Sequence, residues 1–281
     1  MPNFPIVDSH LHLWDPARLS YPWLFDPLDR AFLPADFRAA SAGVDIEALV
    51  FLECDAAIDQ ALAEADAVLG WAREEPRIAA MVCNAPLETG DAARPVLERL
   101  AATDKVRGVR RIYQDQPDPA YCLRPGFVAG VRALADYGLS FDLCLKDPQL
   151  QATIGLADAC ANVPMVLDHI AKPGIAKGLM QPWANQMREL ARRENVVCKL
   201  SGVATEAGPD WTPATLRPYI DVALECFGPS RLMFGGDWPV STLRITYPAW
   251  VALVDEVIAD LSETEQRQIF RDTARSFYRL T

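Results

Sequence analysis

The sequence predicts one α/β domain over residues 1–281, a (β/α)8 barrel of the TIM type with an extra C-terminal helix. Three observations carry that expectation. Eight short β-like runs recur, each followed by a longer helical pattern, and such alternation makes a parallel sheet. No GxGxxG follows any run, which favours a closed barrel over an open, doubly wound sheet. A length of 281 residues is ordinary for one α/β barrel, and 51% apolar residues supply its core.

The β-like runs fall at residues 6–12, 48–54, 78–83, 106–112, 139–145, 164–169, 196–200 and 232–234. Between them, Ala, Leu and Val at helical spacing mark 59–74, 92–101, 125–137, 149–161, 183–193 and 213–227. Pro164, Pro229 and Gly138 stand just ahead of strands, as short αβ loops require. Residues 248–260 and 262–278 end the chain as helices, the second opened by the capping box Ser262-Glu263-Thr264-Glu265. No linker, low-complexity run or internal repeat interrupts the series.

A net charge of −11 argues against a phosphate-neutralising surface, so neither nucleic acid nor an acidic membrane is the expected partner. The amino terminus lacks a basic region followed by an apolar stretch, and no segment has the roughly 18 apolar residues of a membrane span. The 7 cysteines are dispersed, odd in number and without a CxxC pair, which favours free thiols in a reducing cytosol. A cytoplasmic protein acting on a small molecule is the expectation.

The chain has only 3 histidines, and two of them lie in Asp8-Ser9-His10-Leu11-His12 at the end of the first strand. Side chains alternate along a strand, so His10 and His12 point the same way about 7 Å apart, close enough to share an ion. Asp8 shares that face but lies deeper. In α/β barrels chemistry gathers at the carboxyl ends of the strands. Those ends contribute Glu53, Arg110, Arg111, Tyr113, Lys146, Asp168, His169, Lys172, Lys199, Ser201 and Asp237. Arg110 and Arg111 cannot both face inward on a regular strand, and Arg110 is favoured. Asp168 precedes His169 and so is expected on the opposite face.

The motifs His10-Leu11-His12, Leu167-Asp168-His169-Ile170-Ala171-Lys172-Pro173 and Phe234-Gly235-Gly236-Asp237-Trp238-Pro239, in this order, resemble the amidohydrolase superfamily. Ser20-Tyr21-Pro22-Trp23-Leu24, Val106-Arg107-Gly108-Val109-Arg110-Arg111, Lys199-Leu200-Ser201-Gly202 and Arg231-Leu232-Met233-Phe234 narrow the likeness to its sugar-lactonase branch. The resemblance implies hydrolysis of a lactone, with Asp237 taking a proton from water and returning it to the ring oxygen. Arg110 or Arg111, a histidine such as His169, or a metal would stabilise the oxyanion. The residues around the mouth that would bind substrate are Arg111, Tyr113, Lys146, Lys172, Tyr21 and Trp23.

Asp142-Leu143-Cys144-Leu145-Lys146 ends the fifth strand without the histidine of metal-rich superfamily members, so a binuclear centre is not expected. His10, His12, His169 and Asp237, with Glu53 as an addition, could hold one Zn²⁺, or Mn²⁺ as the alternative. Metal-independent lactonases are an equal alternative. Glu53 has a second reading as the counter-charge of an arginine, and Lys199 as an ion-pair partner within the barrel. Other outcomes left open are a zinc decarboxylase or another hydrolase, a lactonase for 2-pyrone-4,6-dicarboxylate bound through Arg110, Arg111 and Lys172, and a barrel that only binds.

Overall fold

The fold is taken from a computed structural model, which describes residues 1–280. Strands β1 (Ile6–Leu11), β2 (Ile46–Leu52), β3 (Ile78–Asn84), β4 (Val106–Arg110), β5 (Ser140–Leu143), β6 (Met165–Leu167), β7 (Val196–Leu200) and β8 (Leu232–Phe234) pair in parallel in chain order. The ring closes just beyond β8. There Asp237 N–H donates to His10 O and His12 N–H to Trp238 O, both at 2.8 Å, and Leu11 bridges to Trp238 in parallel. Closure therefore sets the candidate carboxylate beside the candidate histidines. It also explains Gly235-Gly236: a Cβ at Gly235 would lie 2.7 Å from His10 Cβ, and one at Gly236 would lie 2.5 Å from Asp8 Oδ2.

Helices α1 (Pro34–Ala40), α2 (Ala61–Glu74), α3 (Arg94–Ala101), α4 (Pro125–Ala133), α5 (Leu150–Ala159), α6 (Trp183–Leu190), α7 (Pro213–Phe227) and α8 (Tyr247–Val257) follow the successive strands. Helix α1 has no counterpart in the sequence reading. Of its 7 residues only Pro34 and Phe37 are buried, too few to show a period. The last predicted helix consists of α9 (Glu263–Arg267), a π-helical turn at Gln268–Asp272, and α10 (Thr273–Phe277). At its start Ser262 N–H donates to Glu265 Oε2 at 2.9 Å, while Glu265 N–H donates to Ser262 Oγ at 3.4 Å, as the capping box requires.

Apolar residues fill two spaces. One cluster lies between the strands and the outer helices; the other, with Val7, Val50, Leu52, Val82, Val166 and Met233, lies inside the barrel. Ala274, Tyr278 and Leu280 join the inner cluster, so the C-terminal segment plugs the amino-terminal end of the barrel. Above this apolar floor sits a layer of buried charge. Lys199 Nζ pairs with Asp142 Oδ2 at 2.5 Å and Asp168 Oδ1 at 3.1 Å, and Arg110 pairs with Asp168 Oδ2 at 3.2 Å and Glu53 Oε1 at 2.6 Å.

Removing one member of such a layer strands the others. Lys199→Met should cost about 3–5 kcal/mol, because Asp142 and Asp168 would remain buried without their cation. A thermal midpoint lower by on the order of 10 °C is the expected reading. A midpoint equal to wild type would mean that the layer contributes nothing to stability.

Two expectations about side-chain direction fail, each where the strand is irregular. The β1–β2 register shifts between Asp8 and Leu11, which changes the phase of alternation. Asp8 therefore turns away from the histidines. It accepts from His10 N–H at 2.9 Å, Gly236 N–H at 2.8 Å and Tyr247 OH at 3.0 Å. Asp168 was placed outside the barrel but lies within it, fully buried. Inner Val166 and outer Leu167 put Asp168 inside by ordinary alternation; residues 169–172 then turn left-handed with φ of 53°, 47°, 63° and 47°, and that break brings His169 to the site as well.

Candidate active site

At the carboxyl ends of the strands, four predicted residues meet. His10 and His12 come from β1 and its end, His169 from the left-handed turn after β6, and Asp237 (φ 52°) from the turn that closes the ring. His10 Nε2 lies 3.1 Å from His12 Nε2, and Asp237 Oδ1 lies 3.7 Å from the first and 3.5 Å from the second. His169 Nε2 is 4.0 Å from the same oxygen. Tetrahedral Zn²⁺ with bonds of about 2.0–2.1 Å would set its donors roughly 3.3 Å apart. The His10, His12 and Asp237 atoms fit that spacing.

The outer partners of His12 and His169 fit as well. His12 Nδ1 lies 2.9 Å from Leu52 O, which can only accept, so Nδ1 carries the hydrogen and Nε2 a free lone pair. His169 Nδ1 is held at 2.9 Å by Ser201 Oγ. Burial pushes His169 down to about 4, so its imidazole is neutral at neutral pH. Burial alone would raise Asp237, but His169, the His12 hydrogen bond and His10 outweigh it and hold this carboxyl below the usual range. The set is imidazole nitrogens converging on a carboxylate, a donor group suited to a divalent cation.

Gly202, after β7, has φ of 61°, and a Cβ there would lie 2.6 Å from His169 Nδ1 and 3.0 Å from Asp237 Oδ2. Only glycine leaves room for both. Gly202→Ala should displace them and lower kcat by at least about tenfold, since sub-ångström displacement of reacting groups is costly. An alanine variant with wild-type kcat would show that the placement of these two groups is not critical.

A cavity of about 320 Å³ opens above this cluster, lined by His12, His169, Asp237, Arg110, Trp23 and Lys172 and, on its upper walls, by Cys54, Asp55, Gln114, Asp115, Cys144, Thr205 and Glu206. Trp23 lies on the wall, its indole N–H donating to Cys54 O at 2.6 Å and its ring edge-to-face on Trp14. Lys172 Nζ donates to Gln114 Oε1 at 2.6 Å.

Several expected site residues are elsewhere. Glu53 is not with the converging donors: Oε1 takes Arg110 Nε–H at 2.6 Å and Oε2 takes Asp55 N–H at 2.7 Å. Arg110 does face inward, but its N–H groups are committed to Glu53 Oε1, Glu53 O, Asp168 Oδ2 and His10 Nε2. It is therefore a poor oxyanion donor. Arg111 points out of the barrel, as the residue after an inward one must, and is paired with Glu88 at 2.6 Å. Tyr113 is buried against Phe127, its OH 3.0 Å from Thr153 Oγ1. Lys146 is solvent-exposed and pairs with Asp115 at 2.5 Å. Tyr21 packs in the core below the mouth. These last four do not line the cavity.

Sequence reasoning missed Asp142, although a lone carboxylate inside the apolar run 139–145 was a usable signal. It also missed Tyr278, Thr205 and Glu206. Nothing in the local pattern marks the last two, because loop residues reach the cavity through tertiary placement. All seven cysteines are free, as expected. Among the described residues no helix is long and apolar enough to cross a membrane.

Residues 7–280 match the amidohydrolase family. The chain is 31% identical to an L-fucono-1,5-lactonase of Burkholderia ambifaria, covering 98% of this chain and 95% of that protein. It is 33% identical to an L-fucono-1,5-lactonase of Burkholderia multivorans, covering 98% and 96%. A crystal structure of an amidohydrolase from Burkholderia multivorans with bound zinc superposes with a TM-score of 0.88, at 32% identity, covering 99% of this chain and 100% of that one.

Proposed function

Since the chain belongs to the amidohydrolase family, we propose that it hydrolyses the ring ester of a neutral sugar lactone of the L-fucono-1,5-lactone type. The observation that carries the substrate class is the charge balance of the cavity. Arg110 is neutralised by Glu53 and Asp168, Arg111 by Glu88, and Lys146 by Asp115, while Asp55 and Glu206 line the walls. A dicarboxylate would meet mainly like charge there. A polyhydroxylated ring finds acceptors in Asp55, Glu206 and Gln114, a donor in Lys172, and an aromatic wall in Trp23. The two lactonase relatives support the same reading.

In this mechanism the anionic Asp237 accepts a proton from a water molecule whose oxygen attacks the lactone carbonyl carbon. The resulting tetrahedral oxyanion collapses, the acyl C–O ring bond breaks, and the proton held on Asp237 goes to the departing ring oxygen. One water is consumed and the product is the open hydroxy acid. His10, His12, His169 and Asp237 would hold one divalent ion, Zn²⁺ ahead of Mn²⁺, which would supply the positive charge that polarises the carbonyl. His169, neutral at neutral pH, serves by lone pair or hydrogen bond and not as a general acid. Arg110 holds Glu53, Asp168 and His10 in place.

Because recognition of a neutral ring uses no ion pair, KM for an aldonolactone should change less than about twofold between low and high salt, beyond the range of screening. Turnover restricted to dicarboxylate lactones, with KM rising steeply in salt, would contradict the proposal.

A further inference from the structure

Asp55, His169, Lys172 and Asp237 line the cavity with left-handed backbone although none is glycine, at φ of 52°, 53°, 47° and 52°. Such backbone is costly for these residues and persists where the surroundings enforce it, as they do at functional sites. His169 and Asp237 belong to the converging donors, and Lys172 ends the left-handed run that begins at His169. Asp55 stands apart on the loop after β2, so its conformation has a cause of its own. Its N–H donates to Glu53 Oε2 at 2.7 Å, and Glu53 Oε1 in turn accepts from Arg110 Nε–H at 2.6 Å. Two buried charges therefore fix this turn.

An aspartate in a turn ordinarily folds its carboxylate onto a nearby backbone N–H. Asp55 does not. Among the described residues its half-buried carboxylate has no hydrogen-bond or ion-pair partner, and Arg110 and Arg111, whose charges reach it, are already paired with Glu53 and Glu88. The other acceptors on the walls are offset: Asp115 pairs with Lys146, Gln114 accepts from Lys172, and Glu206 lies in the field of that same lysine. Next to Asp55 is Trp23, whose indole N–H donates at 2.6 Å to the carbonyl of Cys54. Trp23 and Asp55 also line an outer cleft with Pro22, Ala57 and Ile58, so the two stand where the cavity opens. An aromatic ring beside an unpaired carboxylate suits a sugar ring: its C–H groups rest on the aromatic surface, and two vicinal hydroxyls donate to the two carboxylate oxygens.

We propose that Asp55, fixed by Glu53 beside Trp23, is the residue that determines specificity: its carboxylate accepts hydrogen bonds from a vicinal pair of ring hydroxyls and so selects a polyhydroxylated lactone over a bare or a carboxylated one. A carboxylated ring would bring like charge to this oxygen pair. Glu53 then has a role as well, since it holds the turn that presents Asp55. The proposal rests on the preceding reading only in taking a hydroxylated lactone as the substrate.

Asp55→Asn keeps the size of the side chain and tolerates the left-handed backbone while removing the charge. Hydrolysis of L-fucono-1,5-lactone is compared with that of δ-valerolactone, the same ring ester without hydroxyls. The preference of wild type for the hydroxylated lactone, read as a ratio of kcat/KM, should fall about 10- to 100-fold in the variant, the worth of hydrogen bonds to a charged group. The loss should lie mainly in KM. Equal losses on both lactones would overturn the proposal and leave Asp55 a structural residue of the turn, and an unchanged preference would overturn it too. If Asp55→Asn does not fold, Asp55→Gly, which accepts the same backbone, is read in the same way. Titration with L-fucose, which carries sugar hydroxyls but no ester, separates this proposal from the reaction itself. Should wild type open neither lactone, the lactonase reading fails, while L-fucose binding that weakens at least about tenfold in the variant still supports Asp55 as the hydroxyl acceptor. Binding that is unchanged in the variant, or absent in wild type, overturns it.

Discussion

Asp237→Asn should fold like wild type and lose at least about 10²-fold in kcat, the range typical of removing a general base. The substitution keeps size and shape. It also keeps the backbone N–H that donates to His10 O in closing the barrel, and asparagine tolerates the left-handed backbone found here at φ 52°. What disappears is the negative charge, held among three imidazoles by His12, His10 and His169. An amide cannot take the proton from water, and its nitrogen would direct a donor at groups whose lone pairs converge. An unchanged thermal midpoint with the kcat loss would separate the chemical role from a structural one. Activity within a few-fold of wild type would remove Asp237 from the reaction.

The second large effect concerns the metal. Chelated, zinc-free protein should lose turnover by at least about 10²-fold and recover it with one equivalent of Zn²⁺ per chain, with Mn²⁺ as a weaker substitute. The basis is geometric: donors 3.1, 3.5 and 3.7 Å apart enclose one ion, and the other donor triad among the described residues, His10, Asp168 and His169, shares His10 with it and has Lys199 Nζ 3.1 Å from Asp168 Oδ1. Recovery that needs two equivalents would contradict the single site. Full turnover of metal-free protein would instead make the histidines hydrogen-bonding groups for the lactone.

Much of this architecture was legible in the sequence because it depends on local periodicity. Strand and helix repeats placed the eight strands in order, and strand order placed His10, His12, His169 and Asp237 at one end of a barrel. Legibility ended where the backbone leaves ideal geometry. The register shift in β1 reversed the expected direction of Asp8, and the left-handed backbone that begins at His169 lets adjacent Asp168 and His169 both reach the interior. Charge gave the opposite difficulty. Arg111, Lys146 and Glu53 are of types that bind substrate or metal, but each already has a protein partner in Glu88, Asp115 and Arg110. Pairing across strands leaves no trace in a linear pattern. Tyr278 was similarly hidden, since its partner Asp142 lies 136 positions away in the chain.

Opening of a neutral sugar lactone in this pocket is tested most directly by proton release from L-fucono-1,5-lactone at constant pH with zinc-loaded protein. Saturable release above the spontaneous rate is expected, with kcat/KM at least about 10⁴ M⁻¹s⁻¹, the lower end of ordinary enzyme efficiency. Catalysis should be far weaker for lactones that bear carboxylates. Release no faster than spontaneous hydrolysis, for this and related neutral aldonolactones, would contradict it.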